Sequence, residues 1–249
     1  MFSGGRGTES LTEAFVSHPQ IDLSLLVNAY DDGLSTGRLR RFIPGLLGPS
    51  DFRKNIAHLI PAFDEAGRSI KRLLEYRFPD TLKVESANQI LSELYNTEFT
   101  RDNSGLDPQF WKDLESVSYK QARYIETQVT SFLTYCLQEA NKGRVFEFGD
   151  CSFGNLLFAG VFLRLGYDFN RTIADLEREF KPAGRVVNVT QGENYVLVGL
   201  KSDGTFLCDE AEIVSPQNSQ VLEEIYLLEN YLTENEIQKL NDLDNLKSK

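Results

Sequence analysis

The chain has 249 residues and a formal net charge of −11, and hydrophobic residues make up 41% of it. This length can bury the core of one large α/β domain or of two small ones. The acidic charge disfavours nonspecific nucleic-acid binding, and no apolar run approaches the roughly 18 residues that a membrane-spanning helix needs. Three widely spaced cysteines form no zinc motif and indicate a reducing compartment. We therefore expect a cytoplasmic protein without nucleic-acid or membrane partners.

The first residues, MFSGGRGTES, form a glycine-rich turn before a short helical pattern. Glycine allows a positive φ and lets backbone amide groups approach an anion closely, and the following helix directs the positive end of its dipole to the same place. The motif is neither a dinucleotide-binding fingerprint nor a P-loop. Two interpretations stay open, a mobile N-terminus or a phosphate-binding loop formed by Ser3, Gly4, Gly5, Gly7 and Thr8.

An apolar stretch over residues 23–29 predicts a strand that is buried on both faces. Asp31 and Asp32 follow its carboxyl end, where open α/β sheets bind ligands. Adjacent side chains on an extended chain point in different directions, so one carboxylate could hold Mg²⁺ or accept a proton while the other is structural. An ordinary Asp-Gly turn is the alternative. A second loop of small residues follows, formed by Ser35, Thr36 and Gly37.

A basic cluster comes next in an otherwise acidic chain. Arg38 can grip phosphate with its planar guanidinium group. Other cations follow closely, namely Arg40, Arg41, Arg53 and Lys54. A local cluster of this kind favours an anionic ligand. The alternative is a basic helix face that contacts only solvent.

A helix is predicted over residues 50–63, with Ser50 or Asp51 as its N-cap and an apolar face that includes Phe63. His58 on this helix is interpreted as a surface residue or as a histidine with satisfied hydrogen bonds. A mostly helical insertion is expected at about residues 64–142.

The main element of that insertion is one long helix that starts near Trp111 and has its C-cap at Gly143. Its apolar stripe includes Leu137. The next residues, RVFEF, are a short strand candidate.

The segment GDCSFGNLLFAGVFLRLG is apolar on nearly all sides, which predicts a central buried helix. Asp150 and Ser152 are its capping residues. Gly154 and Asn155 fall in its first turn, where a buried amide needs a backbone or ligand partner. Cys151 lies at the helix N-terminus, a position that can lower a thiol pKa, but no histidine accompanies it in the sequence to make it a nucleophile.

The rest of the chain predicts an amphipathic helix before Pro182 and then short strands within residues 185–214, with a hairpin turn at residues 202–204. Residues 216–249 are predicted to form an acidic helical tail, and a structural or oligomerising module is one hypothesis for it. Strands alternate with helices up to the small antiparallel addition. This order indicates an α/β fold with a doubly wound, mainly parallel sheet, and a main domain over residues 1–215.

Five segments, FSGGRGT, VNAYDDGLSTGRLRR, GPSDFRKN, CSFGNLLFAG and GRVVNVT, occur in the order typical of the CofD-like family. The chain resembles this family over about residues 2–60 and 145–214. The family includes 2-phospho-L-lactate transferases and YvcK-type gluconeogenesis factors. The resemblance implies a Rossmann-like fold. For the transferase members it also implies transfer of a phospholactyl group from a nucleotide-diphosphate donor to the deazaflavin Fo, with Mg²⁺ as cofactor.

The resemblance also implies roles for particular residues. Asp31 and Asp32 are the expected catalytic residues, and Asp32 is the expected metal ligand. A nucleotide-diphosphate or nucleotide-sugar ligand is the expected partner, and a homo-oligomer is compatible with the sequence. The implied nucleotide and phosphate site comprises Gly4, Gly5, Arg6, Gly7, Thr8, Ser35, Thr36, Gly37, Arg38, Asp51, Arg53, Gly154 and Asn155.

The sequence departs from the family pattern at several positions. Arg6 stands where glycine or threonine is common, Leu34 replaces a glycine, and Lys54 stands where asparagine is usual. The segment DDGLSTGRLRR is more similar to the YvcK branch, so a non-catalytic UDP-sugar-binding regulator of central carbon metabolism or cell-wall synthesis is the alternative to a transferase. The resemblance further implies a second half with a GPGS/T-like loop. We therefore expect an N-terminal piece of a longer protein or an atypical gene product.

Overall fold

The computed structural model describes residues 1–18, 20–94, 104–208, 212–213 and 221–239. It has a mixed α/β fold with a parallel sheet and a small antiparallel sheet, which confirms the expected fold class. In chain order the helices are α1 (Glu9–Val16), α2 (Leu34–Phe42), α3 (Ser50–Leu59), α4 (Glu65–Glu75), α5 (Val84–Ser92), α6 (Pro108–Ser116), α7 (Tyr119–Ala140), α8 (Phe153–Arg164) and α9 (Phe169–Phe180).

The parallel sheet pairs β1 (Ser24–Val27) with β2 (Arg185–Asn188). On the other edge of β1, Phe2 forms a parallel bridge with Leu26. The backbone amide of Ser3 donates to the carbonyl oxygen of Leu26 at 2.9 Å, and the backbone amide of Leu26 donates to the carbonyl oxygen of Met1 at 2.8 Å. These bonds fix the start of the glycine-rich segment to the sheet, although only the first three residues take part.

The prediction that β1 is buried on both faces is wrong. Leu25 and Val27 are fully buried, whereas the alternate residues Ser24 and Leu26 are only partly covered. The reason is that α3 and α9 pack against the buried face of the sheet, and on the opposite face Val187 of β2 stays exposed. The strand therefore has the alternating burial of a half-covered sheet.

The long helix predicted from Trp111 to Gly143 is two helices in the structure, α6 and α7. Ser118 starts α7 with a capping box, because its hydroxyl accepts from the amide of Gln121 while the Gln121 side chain accepts from the amide of Ser118. The C-cap of α7 is Asn141 rather than Gly143. Leu137 is 62% exposed and does not belong to the core.

Two further sequence predictions are corrected in this region. Helix α3 ends at Leu59 because Pro61 follows closely, and Phe63 is 90% exposed instead of completing an apolar face. The segment 144–148 forms no strand. Its residues Phe146 and Phe148 are instead buried in an aromatic cluster with Phe132 of α7.

Helix α8 is the central buried helix that the sequence predicts. Every residue from Phe153 to Phe162 is buried, and Ser152 caps the helix by accepting from the amide of Asn155 at 3.1 Å. A side chain at Gly160 would overlap the backbone carbonyl of Gln128, so glycine lets α7 and α8 approach closely. No helix among the described residues is both long and apolar enough to cross a bilayer.

The antiparallel sheet has the strand order β4-β3-β5, formed by β3 (Val196–Lys201), β4 (Phe206–Leu207) and β5 (Leu222–Leu228). Gly204 has a φ of +83° in the predicted hairpin turn between β3 and β4. The predicted helical tail is wrong at residues 222–228, because β3 offers an edge with which this segment pairs. Residues 234–239 are helical as predicted, and residues 216–220 and 240–249 lie outside the described part of the chain.

Candidate functional site

The glycine-rich segment is an ordered turn in the structure. Residues Gly5–Thr8 form a 3₁₀ turn that leads into α1. The hydroxyl of Ser3 donates to Oδ1 of Asn55 at 2.7 Å and lies 2.6 Å from the hydroxyl of Thr8. Because the single proton of Ser3 is used on Asn55, Thr8 is the donor in the second bond. The turn is therefore fixed to helix α3, and this favours the interpretation as a loop over that of a mobile N-terminus.

A cleft of about 510 Å³ lies beside this turn at the carboxyl ends of the parallel strands. A side chain built at Gly4 would meet no atom within 4 Å, so this position faces open space in the cleft. The carboxyl ends of parallel strands are where open α/β sheets bind ligands. We call this space the sheet-edge cleft; it is lined by Phe2, Ser3, Gly4, Leu26, Asn28, Tyr30 and Val189.

Asp31 follows the cleft residue Tyr30 and holds the start of α2. Its Oδ1 accepts from the amide of Gly33 at 3.1 Å, and its Oδ2 accepts from the hydroxyl of Thr36 at 3.2 Å. The N-cap residue Gly33 has no side chain to serve this purpose. The carboxylate is therefore oriented by the helix, while the residue keeps some exposure to solvent.

A buried chain of hydrogen bonds connects Asp31 to helices α3 and α8. Nδ2 of Asn155 donates to the hydroxyl of Ser50 at 2.9 Å, and Ser50 and Thr36 share a hydrogen bond. Because Thr36 gives its proton to Asp31, Ser50 is the donor to Thr36. The order of donation is therefore Asn155, Ser50, Thr36, Asp31. Each bond polarises the next in a buried network of this kind.

Arg53 joins the other end of this network. Its Nε donates to Oδ1 of Asn155 at 3.3 Å, and the residue is almost fully buried. Gly154 makes this packing possible, since a side chain there would overlap the carbonyl oxygen of Leu74 and come within 2.8 Å of the Arg53 side chain. The structure thus brings together Thr36, Arg53, Gly154 and Asn155, which the sequence singled out separately.

Asp32 lies in a different environment from Asp31. It is buried, with Arg40 and Arg41 each 3.7 Å from its carboxylate. The hydroxyl of Tyr231, from the segment after β5, donates to its Oδ1 at 2.8 Å. Burial raises the pKa of Tyr231 well above its usual value, and the Asp32 carboxylate adds to this rise. The phenol therefore stays protonated and remains a donor to Asp32.

Gly37 is required beside this buried carboxylate. A side chain at this position would lie 2.5 Å from the backbone oxygen of Asp32 and 2.8 Å from the guanidinium group of Arg41. The close approach of α2 to the end of β1 therefore depends on glycine. The neighbouring Ser35 is also buried.

Two further predicted residues, Arg38 and Asp51, do not line the sheet-edge cleft. Arg38 donates to the backbone oxygen of Gly149 at 2.7 Å. The carboxylate of Asp51 pairs with Lys54 at 2.9 Å on the same helix. The 3₁₀ turn contains Gly5, Arg6 and Gly7.

The family model described as 2-phospho-L-lactate transferase CofD matches residues 1–241. The chain belongs to the CofD family. No curated protein sequence matches it.

Two crystal structures of BH3568, a UPF0052-family protein from Bacillus halodurans, have a similar fold, with TM-scores of 0.53 and 0.54. Both are 20% identical to this chain, and the matches cover 90% and 91% of it. They cover only 48% and 49% of the BH3568 chains, so this CofD-family chain spans about half the length of those relatives. At this level of identity the likeness shows the fold alone.

Several residues of the candidate site were not assigned to it from the sequence. Asn55 and Ser50 anchor the glycine-rich turn and the Asp31 network, and Asn28 and Tyr30 line the cleft. A polar side chain at a helix position facing the core is the signal that could have identified Asn55. Tyr231 is 199 positions from Asp32 in the sequence, and no local pattern connects them.

Cys151 and His58 have side chains of types that are often reactive, but both are buried in the fold. Burial raises the pKa of the Cys151 thiol to about 12, which disfavours the nucleophilic thiolate. His58 is buried and not on the surface, with Nε2 3.5 Å from Glu75 and 3.7 Å from Glu9. Neither residue lines the sheet-edge cleft.

The described geometry of Asp32 does not fit a magnesium ligand. Its carboxylate lies 3.7 Å from two guanidinium groups and accepts a hydrogen bond from a phenol, so positive charges and a donor already surround it. Within the described ranges, no group of three or more His, Cys, Asp or Glu side chains is arranged to hold a metal ion. Metal binding at Asp32 stays a prediction that would require Tyr231 and the arginines to move.

Proposed function

We propose that this CofD-family chain binds a nucleotide-diphosphate conjugate in the sheet-edge cleft and takes part in a transfer of the 2-phospho-L-lactate type. The family match supports transferase chemistry in general terms. The observation that carries the proposal is the glycine-rich turn, which Ser3 and Asn55 hold beside an open cleft at the carboxyl ends of the strands. Backbone amide groups in such a turn suit a diphosphate.

The cleft also suits the rest of such a ligand. Its walls combine apolar side chains with an aromatic ring and the amide of Asn28, and its volume of about 510 Å³ lies within the usual range of ligand pockets. Tyr30 packs edge-on against Tyr195, with ring centroids 5.9 Å apart, so its ring is held in place. These groups would contact the nucleoside part while the turn contacts the phosphates.

In the proposed reaction, the hydroxyl oxygen of an acceptor attacks the phosphorus atom that carries the lactyl group. A new P–O bond forms as the bond to the nucleoside phosphate breaks, and the nucleoside monophosphate leaves. Asp31 is the proposed acceptor of the hydroxyl proton, because the network from Asn155 holds its carboxylate at the end of β1. Mg²⁺, if it takes part, would neutralise charge on the phosphates.

Gly4 offers a direct test, because a Cβ atom at this position would have no protein atom within 4 Å. Gly4→Asp adds negative charge to the cleft, whereas Gly4→Asn adds a side chain of the same shape without charge. We expect calorimetry with GDP and with a UDP-sugar, each with Mg²⁺, to show about tenfold weaker binding for Gly4→Asp than for Gly4→Asn, equivalent to about 1.4 kcal/mol. Equal affinities, or no nucleotide binding by the wild-type chain, would overturn the proposal.

A non-catalytic regulator that binds a UDP-sugar is the second candidate. The observation that favours it is the engagement of Asp32 by Arg40, Arg41 and Tyr231, which leaves one of the two expected catalytic carboxylates in a structural role. Tight binding of a UDP-sugar with no phospholactyl transfer to Fo, and with affinity unchanged in Asp31→Asn, would favour this candidate over the transferase.

A further inference from the structure

A second cleft, of about 310 Å³, lies at the carboxyl end of α2 and shares no lining residue with the sheet-edge cleft. Three arginine side chains from two separate parts of the chain meet there. We call it the arginine cleft; it is lined by Arg38, Arg41, Phe42, Arg144, Val145, Phe146 and Glu147.

Backbone carbonyl groups hold two of these guanidinium groups in position. Arg38 donates to the oxygen of Gly149 at 2.7 Å, and Arg144 donates to the oxygen of Phe42 at 2.8 Å and to that of Arg41 at 3.1 Å. A carbonyl oxygen orients a guanidinium group without cancelling its charge. The side chains are therefore arranged before any ligand arrives, which lowers the entropy lost on binding.

The charges around the cleft do not balance. The carboxylate of Asp32 is shared between Arg41 and Arg40, and that of Glu139 is shared between Arg144 and Lys142. The lining residues themselves include three arginines and one carboxylate, that of Glu147. A local excess of positive charge remains in a protein whose net charge is −11. Such an excess attracts and retains a small anion.

We propose that the arginine cleft binds a small phosphate-bearing molecule, at a site distinct from that of the proposed nucleotide ligand. Guanidinium groups match phosphate oxygens through paired hydrogen bonds. A volume of about 310 Å³ is at the lower end of ligand pockets and suits one phosphate with a short carbon skeleton. Val145, which is 55% exposed, supplies apolar surface that this skeleton would contact, while the lining rings of Phe42 and Phe146 are almost fully buried.

Arg41 connects this cleft to Asp32. Its guanidinium group lines the cleft, lies 3.7 Å from the carboxylate of Asp32 and is 5.7 Å from the centre of the Tyr231 ring. A phosphate that pairs with Arg41 would compete with Asp32 for the same cation. The proposed ligand would therefore act on the residues next to Asp31 without occupying the sheet-edge cleft.

Calorimetric titration at low ionic strength with phenyl phosphate, inorganic phosphate and benzoate tests this site. Val145 is 55% exposed at the rim, so a substitution there can change charge without disturbing the core. We expect phenyl phosphate to bind the wild-type chain, and Val145→Glu to weaken this binding about fivefold, as one added charge at close range would do in water. Val145→Gln matches the shape of Val145→Glu without its charge, and we expect it to bind phenyl phosphate more tightly than Val145→Glu does.

Arg144→Gln should also weaken phenyl phosphate binding, whereas Arg123→Gln, at an exposed arginine of α7 outside the arginine cleft, should not. Equal binding by Val145→Glu and Val145→Gln would overturn the proposal, as would no binding of phenyl phosphate at millimolar concentration. Benzoate binding as tight as phenyl phosphate would overturn the assignment to phosphate. Loss of phenyl phosphate binding in Gly4→Asp but not in Val145→Glu would place that ligand in the sheet-edge cleft and also contradict the proposal.

Discussion

Single residues show how this acidic chain places charge inside its core. Asp113 is buried between α4 and α6, where Arg72 donates to both of its oxygens and Ser69 and Gln109 add further hydrogen bonds. Asp32 is buried against Arg40 and Arg41 in a similar way. A buried carboxylate is tolerated when donors surround it in this manner. Acidic residues therefore take part in the core of the fold as well as in its surface charge.

The pH dependence of stability tests the Asp113 cluster. Burial acts to raise the pKa of Asp113, but the hydrogen bonds from Arg72, Gln109 and Ser69 outweigh it and lower the pKa below its usual value. The unfolded chain therefore binds a proton at a higher pH than the folded chain does. The stabilisation is present above the unfolded pKa of about 3.9 and is lost as the pH falls through the lower folded value.

Urea unfolding of the wild type and of Asp113→Asn between pH 6 and pH 2 measures this effect. We expect the wild type to lose free energy of unfolding more steeply in the acid range than Asp113→Asn does. Glu126→Gln, which changes an exposed carboxylate on α7, should keep the wild-type slope. The same slope in Asp113→Asn and in the wild type would contradict the assignment.

Close helix packing is the main feature at the scale of elements. Helices α7 and α8 make an extensive contact, and Gly160 lies where α8 meets the backbone of Gln128. The same principle holds at Gly154, where α8 meets α4 and Arg53. Glycines in a helix normally lower its stability, so their value here lies in the approach that they permit.

Gly160→Ala should lower the free energy of unfolding by about 1–3 kcal/mol, because the added methyl group overlaps a backbone carbonyl that cannot rotate away. Chemical denaturation of the purified variant measures the change. Gly4→Ala is the matched control, since its methyl group would meet no atom, and its stability should stay near that of the wild type. A free energy of unfolding in Gly160→Ala equal to that of the wild type would show that α7 and α8 can separate without loss of stability.

At the scale of the whole molecule, a long-range contact connects the C-terminal segment to the candidate site. Strand β5 pairs with β3, and Tyr231 then reaches Asp32 and lies against Arg40 and Arg41. Arg40 itself donates to Asn194 and to the backbone of Tyr195, just before β3. The antiparallel sheet is therefore connected to the end of β1 through Arg40 and Asp32.

Tyr231→Phe tests this connection by removing one hydroxyl group and keeping the ring. We expect the free energy of unfolding to fall by about 1–2 kcal/mol, because Oδ1 of Asp32 loses a buried donor. Amide hydrogen exchange in β5 should become faster. Tyr119→Phe, at an 82% exposed tyrosine, is the control and should leave both measurements unchanged. Exchange in β5 that stays as slow as in the wild type would contradict the role of Tyr231.

The sequence by itself determined the elements whose signals are local. The apolar stretch of α8 with its cap at Ser152, the amphipathic pattern of α9 and the turn at Gly204 all depend on neighbouring residues, and the structure has them as predicted. The ordered family motifs likewise pointed to the CofD family, which the match over residues 1–241 confirms.

The tertiary structure alone decided the features that depend on distant partners. Residues 222–228 form a strand because β3 offers an edge, and β1 is half covered because helices pack on one face of the sheet. The roles of Asp31 and Asp32 diverge for the same reason. Asp31 receives a hydrogen-bond chain that begins at Asn155, and Asp32 receives Tyr231. Burial and hydrogen-bond partners are set by contacts between remote segments, which no local pattern in the sequence encodes.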